Sequence, residues 1–459
     1  MWKSFILVHM TDSRLAVLVL AAGKGTRMRS AVPKVLHAIA NRPLIAHVLA
    51  AAAPLAPMRT VVVLAPGMED VATAVAPAEI AIQREQRGTA HAVLAARKTL
   101  DGFAGDVLVV NGDGPLITAA TLETLLAERR RSKAAVAVLG MRPADPAPYG
   151  RLVTASDGTL SAIVEAADAS AKERAIGLCN SGVWALDGKE LWGLLDGIGT
   201  NNAKGEHYLT DIVAAARKKG LACRAVEGPA DELLGVNSRA DLAAAEAAMQ
   251  RRLRARAMAE GVTFVAPETV FLSADTRIGR DSIVGPFVVF GPGVTVGEDV
   301  QIPAFCHMVE AKVGDRASIG PFARLRPGAE LGPEVHLGNF VEVKNSRLGR
   351  GAKANHLAYI GDATVGAGSN IGAGAITCNY DGIDKFRTEI GKSVFVGTNV
   401  SLVAPVAVGD GAFIAAGSVI TGDVPADAMA IARGQQVTKP GRAKDWRESR
   451  RKSKDRGKN

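Results

Sequence analysis

The sequence predicts an α/β domain followed by an all-β domain, joined by one long helix. Strand and helix patterns alternate over residues 14–237, a helix-forming run covers 238–261, and apolar residues recur at every sixth position over 262–432. Alternation is typical of a Rossmann-like, doubly wound sheet, whereas a strict six-residue period is typical of a parallel β-helix. Residues 1–13 form an extension before the first domain, and 433–459 form a basic tail.

The 459-residue chain has a net charge of +9, most of which lies in the tail. Residues 433–459 contain eleven Lys or Arg and three Asp or Glu, a net charge of +8. Trp446 is the only aromatic residue there, which disfavours stacking on nucleic-acid bases. We therefore expect a solvated, disordered tail and no nucleic-acid partner.

The composition favours a reducing, aqueous compartment. The four cysteines have no metal-site spacing and are too few for a disulfide scaffold. No apolar run is long enough to cross a membrane, and residues 1–13 lack a signal-peptide cleavage site. We expect a cytoplasmic protein with no membrane partner, and a start at Met10 suits the following strand better than one at Met1.

A strand that ends in a glycine-rich loop opens the first domain. Residues 17–34 read VLVLAAGKGTRMRSAVPK, and the glycines allow backbone N–H groups to approach an anion. Lys24, Arg27 and Lys34 add positive charge, so the loop suits a polyphosphate. It lacks the Gly-Lys-Ser/Thr ending of a P-loop, and Met28 replaces the third glycine of a dinucleotide fingerprint.

Helices and strands alternate along the rest of this domain. We predict a helix over 35–53, which Pro43 interrupts or restarts, and another over 120–131. Strands are predicted at 60–65, 79–82, 106–110 and 134–139. The alternation implies a parallel sheet with helices on both faces, and ligands bind at the carboxyl ends of such strands.

Polar residues follow two of these strands. Gln83 and Gln86 in QREQRGTAH can each donate and accept hydrogen bonds, as recognition of a pyrimidine edge requires. Asp113 follows the apolar strand of VLVVNGD, where a carboxylate can bind Mg²⁺ together with phosphates. Taken singly, the glutamines fit a surface loop and the aspartate fits a turn.

Apolar residues at a six-residue spacing define the second domain. One run is Ile278, Val284, Phe290, Val296 and Ile302, and similar runs cover 313–343 and 390–420. Short strands joined by tight turns satisfy this period when they stack into coils of about 18 residues. The pattern breaks before Ile390, where residues 378–389 are predicted to loop outward and carry function.

The string LAAGxGTRM with its following Pro-Lys pair resembles the signature of sugar-1-phosphate nucleotidyltransferases. QREQRGTAH resembles the uracil-reading segment of bacterial uridylyltransferases. The resemblance implies that Arg27 and Lys34 act on the phosphates of UTP, and that Asp113 and Asn237 bind Mg²⁺. Lys34 and Asn237 are also expected to contact the nucleotide. The other residues expected to bind UTP or UDP-N-acetylglucosamine are Leu20, Ala21, Ala22, Gly23, Gln83, Gln86, Gly88, Thr89, Gly150, Glu165 and Asn180.

The strings HLAYIGD, NIGAG and NYDG in the second domain resemble the acetyltransferase half of one bifunctional family. These proteins combine N-acetylglucosamine-1-phosphate uridylyltransferase with glucosamine-1-phosphate acetyltransferase. The resemblance implies a left-handed β-helix, a homotrimer, acetyl-CoA as co-substrate, and His356 as the general base. It places glucosamine 1-phosphate on Arg326, Lys344, Tyr359 and Asn370. It places acetyl-CoA on Ala373, Asn379, Tyr380, Thr398, Ala416 and Arg433, with Thr398 in place of the expected serine.

The leading interpretation is a two-site enzyme that makes UDP-N-acetylglucosamine, a precursor of cell-wall and lipid-A sugars. One alternative is a nucleotidyltransferase with a single activity, whose solenoid only oligomerises or regulates, as in ADP-glucose and GDP-mannose pyrophosphorylases. Another is a non-catalytic regulatory subunit, as in translation-initiation exchange factors with the same two-domain plan. The glutamine pair and the complete acetyltransferase strings argue against the first alternative. The intact phosphate and metal residues argue against the second.

Overall fold

The structure is a computed structural model that describes residues 14–456. The extension 1–13, with both candidate starts, lies outside the described residues. The chain forms two compact units. The first comprises the described residues up to Ala255 together with Leu272–Ala274, and the second comprises Arg256–Phe271 and the described residues from Asp275 onward.

The first unit is an α/β domain. Its strands are β1 (Leu15–Leu20), β2 (Ala38–Ile39), β3 (Arg42–Pro43), β4 (Arg59–Leu64), β5 (Glu79–Ile82), β6 (Asp106–Asn111), β7 (Val136–Met141), β8 (Arg151–Thr154), β9 (Leu160–Val164), β10 (Cys179–Asp187) and β11 (Cys223–Glu227). Its helices are α1 (Leu44–Ala52), α2 (Glu69–Ala74), α3 (Thr89–Ala95), α4 (Ala119–Ser132), α5 (Ala171–Arg174), α6 (Gly188–Leu195), α7 (Ile212–Lys218), α8 (Ala230–Leu233) and α9 (Arg239–Ala259).

The central sheet has the strand order β11-β7-β10-β6-β1-β4-β5. Its apolar strands are buried between two clusters of side chains, one on each face, which confirms the predicted helices on both sides. The prediction of a parallel sheet is wrong at two strands. β10 runs antiparallel to β6, β7 and β8, and β9 runs antiparallel to β8. Periodicity does not encode strand direction, so these reversals could not be predicted from the sequence.

The helix predicted over 35–53 is correct only in its second half. Residues 34–36 form a 3₁₀ turn, β2 and β3 form a short hairpin, and α1 begins at Leu44. Pro43 immediately precedes this helix. Proline lacks an N–H and clashes with the carbonyl four residues earlier, so it starts a helix rather than continuing one.

The long helix α9 begins with a reciprocal cap. The Asp241 N–H donates to Ser238 Oγ at 3.2 Å, and the Ser238 N–H donates to Asp241 Oδ2 at 2.8 Å. Gly261, with φ of +95°, follows its end, as the sequence predicts. The helix is also packed against the first unit, since Arg252 donates to the Leu116 carbonyl at 2.7 Å.

The second unit is a parallel β-helix with three faces, as the six-residue period predicts. The first face contains Thr263–Phe264, Ile283–Val284, Gln301–Ile302, Ser318–Ile319, His336–Asn339, Lys353–His356, Asn370–Ile371, Phe395–Val396, Phe413–Ile414 and Met429–Ala430. The second face contains Arg277–Ile278, Thr295–Val296, Ala311–Val313, Ala329–Leu331, Ser346–Leu348, Ala363–Val365, Thr388–Ile390 and Val406–Val408. The third face contains Val289–Phe290, His307–Met308, Arg324–Leu325, Glu342–Lys344, Tyr359–Gly361, Ile376–Cys378, Ser401–Val403 and Val419–Ile420.

The strand register shows the coil length directly. Ile278 pairs with Val296 and Val284 pairs with Ile302, each one coil further along the chain. Farther on, Val365 pairs with Ile390, so this coil contains extra residues. They form the loop between Cys378 and Thr388, as the break in the pattern predicts, although Cys378, Thr388 and Glu389 of the predicted segment lie in strands.

The basic tail differs from the expectation of disorder. Residues Arg442–Arg456 form helix α10, which follows Pro440 and Gly441 and contains neither residue type. The tail residues up to 454 are exposed, so the expected solvation is confirmed. Lys, Arg, Glu and Ala are good helix formers, which accounts for the helix. Among the described helices, none combines the length and apolar composition needed to cross a membrane.

Candidate active sites

A cavity of about 290 Å³ lies where β1, β5 and β6 end in the first unit. Ten residues predicted to contact the nucleotide or the metal line it: Leu20, Ala21, Ala22, Gly23, Lys34, Gln83, Gln86, Gly88, Thr89 and Asp113. Val35, Ala92, Asn111 and Glu206 also line it and were not predicted. Two of these had a possible signal, because Asn111 belongs to the NGD string and Glu206 to the GEHYLTD string.

The glycine-rich loop presents backbone donors to this cavity. Within the described chain, the N–H groups of Ala22, Gly23, Lys24 and Gly25 donate no hydrogen bond. Gly25 has φ of +59°, and a Cβ there would lie 2.6 Å from the Cβ of Lys34. The loop therefore needs glycine at this position, and N–H groups without a protein acceptor are chemically suited to binding an anion.

The loop after β5 is fixed to its surroundings on both sides. Gln86 Nε2 donates to the Ala22 carbonyl at 2.5 Å, which joins this loop to the glycine-rich loop. The His207 N–H donates to the Arg87 carbonyl at 2.8 Å, and the His207 carbonyl accepts from Ala90. Gly88 has φ of +109°, and a Cβ there would overlap the His207 carbonyl, so only glycine fits. Sequence reasoning did not assign His207 this role.

Two predicted metal ligands meet at one ammonium group. Lys34 Nζ forms an ion pair with Asp113 Oδ2 and lies 3.2 Å from Asn237 Oδ1. Arg27 donates to the same Asn237 oxygen at 2.9 Å. The Asn237 N–H donates to Asp241 Oδ2 at 3.0 Å, which anchors Asn237 at the start of α9. A carboxylate and an amide oxygen around one cation are ligands that suit Mg²⁺, so the residues present fit that metal.

Three of the residues predicted to bind UTP or UDP-N-acetylglucosamine lie together beside the β8–β9 hairpin: Gly150, Glu165 and Asn180. The Asn180 N–H donates to the Gly150 carbonyl at 2.8 Å, and a Cβ on Gly150 would lie 3.4 Å from Glu165 Oε2. Thr210 Oγ1 donates to Glu165 Oε1 at 3.0 Å. Burial raises the pKa of Glu165, and the hydrogen bond from Thr210 opposes that rise. Glu165 is thus a half-buried acceptor with one oxygen fixed by the protein.

His356 lies at the end of a strand on the first face of the β-helix. Its Nδ1 is 2.7 Å from Oδ1 of Asn339, the residue directly opposite on the preceding coil. With the Asn339 oxygen as acceptor, Nδ1 carries the proton and Nε2 keeps its lone pair. His356 is exposed, which suits a base that must reach a substrate. Asn339 was not predicted, because the register that brings it opposite His356 exists only in the folded coil.

The residues predicted to bind glucosamine 1-phosphate divide between two faces. Arg326 directly follows one strand of the third face, and Lys344 is the last residue of the next strand. Tyr359 begins the strand after that on the same face. Glu342, which pairs with Tyr359, accepts a hydrogen bond from Arg326 at 2.8 Å. Asn370 lies on the first face, one coil after the strand of His356. One corner of the coil, between His356 and Tyr359, separates these two faces.

The residues predicted to bind acetyl-CoA follow one another on successive coils. The Ala373 carbonyl accepts a hydrogen bond from the N–H of Asn399, the residue after Thr398, at 2.7 Å. The Thr398 carbonyl accepts one from the N–H of Gly417, the residue after Ala416, at 2.8 Å. Arg433 in turn donates to the Ala416 carbonyl at 2.8 Å. These four predicted residues therefore form one column parallel to the β-helix axis.

Asn379 and Tyr380 begin the outward loop. Asn379 is buried and donates to Asp362 Oδ2, while Asn345 donates to Oδ1 of the same carboxylate at 2.5 Å. Burial alone would raise the pKa of Asp362, but these hydrogen bonds and the positive charges of Lys344 and Lys385 together outweigh it, and the pKa is lowered. Tyr380 is exposed. Asp362 was missed as a functional residue, although it ends the HLAYIGD string.

The fold and the two sites define a nucleotidyltransferase domain joined to a hexapeptide-repeat transferase domain. Family models agree with this class. Residues 17–178 match the MobA-like NTP transferase domain, and residues 275–308 and 387–422 match the bacterial transferase hexapeptide of six repeats.

Curated relatives identify the family. The chain is 55% identical to the bifunctional protein GlmU of Paramagnetospirillum magneticum, over 95% of this chain and 98% of that protein. It is 57% identical to GlmU of Xanthobacter autotrophicus, over 97% and 100%, and 58% identical to GlmU of Rhodospirillum rubrum, over 95% and 98%. The chain belongs to the family of bifunctional GlmU proteins. This confirms the predicted uridylyltransferase and acetyltransferase, and it does not favour the single-activity alternative.

Proposed function

We propose that the two sites act in succession on one sugar phosphate in the cytoplasm. The β-helix transfers an acetyl group from acetyl-CoA to glucosamine 1-phosphate, and the α/β domain couples the product to UTP. Pyrophosphate and UDP-N-acetylglucosamine are released. The observation that carries this proposal is that Asp113 and Asn237 both contact the Lys34 ammonium group, with Arg27 bound to Asn237, at a cavity lined by the predicted nucleotide residues.

In the α/β domain, the chain's own groups bind and orient the two phosphates. The N–H groups of residues 22–25, which have no acceptor in the described chain, donate hydrogen bonds to the phosphate oxygens of UTP. Lys34 and Arg27 balance the charge that develops when an oxygen of the sugar phosphate attacks the α-phosphorus and pyrophosphate leaves. Asp113 and Asn237 would hold Mg²⁺, which supplies further neutralisation of the phosphate charge when it is bound.

In the β-helix, His356 acts as the general base. Its Nε2 removes a proton from the amino group of the sugar, whose nitrogen then attacks the thioester carbonyl of acetyl-CoA. The carbon–sulfur bond breaks, and the CoA thiolate takes up a proton. Asn339 keeps the ring orientation and the tautomer that this step needs, because it accepts from Nδ1.

A homotrimer is part of this proposal. Four phenylalanines, Phe287, Phe305, Phe322 and Phe340, stack along one corner of successive coils with ring centroids 4.9–5.2 Å apart. Each is about half exposed. A continuous apolar ridge of this kind is typical of a surface that another subunit covers. Light scattering is expected to show a trimer, and Phe322→Glu is expected to dissociate it, whereas Trp446→Glu in the exposed tail helix is the matched control.

A coupled assay tests the two-site proposal. The purified protein is given glucosamine 1-phosphate, acetyl-CoA, UTP and Mg²⁺, and CoA thiol and pyrophosphate are followed separately. Pyrophosphate release that depends on acetyl-CoA is expected. His356→Ala should abolish thiol release and leave uridylylation of supplied N-acetylglucosamine 1-phosphate intact. His336→Ala, an exposed histidine on the same face, is the control. Equal loss of both activities in His356→Ala would contradict two independent sites.

A further inference from the structure

The side-chain amide of Gln83 has a fixed orientation in the nucleotide cavity. Gln83 is 5% exposed, and its Nε2 lies 3.2 Å from the Gly88 carbonyl oxygen and 3.2 Å from His91 Nδ1. An amide nitrogen has two N–H groups, so these two acceptors use both of them. Within residues 14–456, Gln83 Oε1 accepts no hydrogen bond, although Gln83 lines the cavity.

The two acceptors differ in how firmly they hold the amide. The Gly88 carbonyl can only accept, so it always selects the nitrogen end of Gln83. His91 Nδ1 accepts only when it carries no proton, which requires the neutral ring with its hydrogen on Nε2. His91 therefore decides whether the second N–H of Gln83 is occupied by the protein or is available to a ligand.

His91 is itself held in place. It is the third residue of α3, a helix that begins at Thr89 directly after Gly88. Its ring stacks against His207, with centroids 6.4 Å apart and an interplanar angle of 29°. The backbone of His207 in turn hydrogen-bonds to Arg87 and Ala90, on either side of Gly88. The contact between His91 and Gln83 thus belongs to a connected set of contacts that includes His207 and the residues on either side of Gly88.

The resulting donor–acceptor pattern matches one pyrimidine. Gln83 offers an acceptor, and the neighbouring Gly88 N–H donates no hydrogen bond in the described chain and is available as a donor. Uracil presents an N3–H donor beside its C4 carbonyl acceptor. Cytosine presents the reverse, an N3 acceptor beside a C4 amino donor, and so leaves both protein groups unpaired. Buried groups left unpaired by the wrong ligand are a strong source of discrimination.

We propose that His91 is a specificity-determining residue of the uridylyltransferase, which selects uracil over cytosine by occupying the second N–H of Gln83. This rests on the proposed role of Gln83 as a base contact. His91 acts through Gln83 and is a positioning residue. When its acceptor is removed, the released N–H can turn toward an acceptor on the base, and the preference for an N3–H weakens.

The test measures kcat/KM for UTP, CTP and N3-methyl-UTP in the full-length enzyme, with N-acetylglucosamine 1-phosphate and pyrophosphate release as readout. His91→Leu removes the acceptor, and His91→Asn restores an oxygen near the position of Nδ1. We expect the ratio of UTP to CTP to fall about tenfold in His91→Leu and to stay within about threefold of the native ratio in His91→Asn. Acetyltransferase activity of each variant checks that the protein has folded, and His91→Phe, which keeps a ring against His207, replaces a leucine variant that fails this check.

The outcomes separate the inference from the proposal it rests on. If His91→Leu slows UTP and CTP by the same factor, the residue is merely structural and the inference is wrong. If Gln83→Ala leaves both kcat/KM for UTP and the ratio unchanged, the proposed base site itself fails. A smaller ratio in His91→Leu, rescued in His91→Asn and accompanied by weaker rejection of N3-methyl-UTP, supports the inference.

Discussion

Replacing Asn339 by leucine is expected to slow acetylation by one to two orders of magnitude while leaving uridylylation unchanged. Among the residues that the structure describes, the Asn339 side chain makes one polar contact: its Oδ1 lies 2.7 Å from Nδ1 of His356, the residue paired with it on the next coil. Leucine is similar in size and cannot accept a hydrogen bond. The imidazole is then free to rotate and to adopt the tautomer whose Nε2 is protonated, which cannot serve as a base.

The magnitude follows from the charge that the hydrogen bond stabilises. When Nε2 takes up a proton, the Nδ1–H becomes a charged donor, and hydrogen bonds of charged groups contribute about 1.5–3 kcal/mol. If this contribution is lost only in the transition state, the rate falls about 10- to 150-fold. Asn339→Asp keeps an acceptor oxygen in the same place and is therefore expected to retain most of the activity.

The assay follows CoA thiol release at saturating glucosamine 1-phosphate, so that the effect falls on kcat. Uridylylation of supplied N-acetylglucosamine 1-phosphate, measured on the same preparation, is the internal control for folding. If Asn339→Leu and Asn339→Asp lose acetylation equally, the acceptor is irrelevant and the side chain matters only for packing. If neither variant changes kcat, His356 is not held through Nδ1 and the proposed tautomer is wrong.

Three other predictions concern groups with defined partners. Lys34→Met removes the ammonium beside Asp113, so Mn²⁺ binding to the nucleotide-free protein, followed by electron paramagnetic resonance, should become severalfold tighter; unchanged affinity would show that lysine and metal do not compete. Thr210→Val removes the hydrogen bond that opposes the burial-raised pKa of Glu165, so the acid-side rise in KM for N-acetylglucosamine 1-phosphate should move to higher pH, whereas Thr210→Ser should not shift it. Asp362→Asn should lower the free energy of unfolding in urea by about 1–3 kcal/mol at pH 7. Because the folded pKa of Asp362 is lowered, the stability that this carboxylate adds is complete above its unfolded pKa and is lost as pH falls through the folded value, so the two proteins should converge in acid.

The sequence alone was sufficient for the repeating parts of the protein. A six-residue period predicts a parallel β-helix, and the pairing of Ile278 with Val296 and of Val284 with Ile302 confirms it. The glycine-rich loop after β1 was also evident, because such a loop depends on neighbours in the chain. Most residues that line the nucleotide cavity could also be predicted from the sequence, because they lie in a few short motifs at the ends of strands.

Only the tertiary structure decided which side chains support these sites. His91 reaches Gln83 because α3 turns back over the loop, and Asn339 reaches His356 because one coil stacks on the next in a particular register. The antiparallel direction of β10 was hidden for the same reason, since an apolar run reads alike in both directions. Chemical identity and period are local properties of a chain, whereas strand direction, register and the pairing of donors with acceptors arise from contacts that form only when the chain folds.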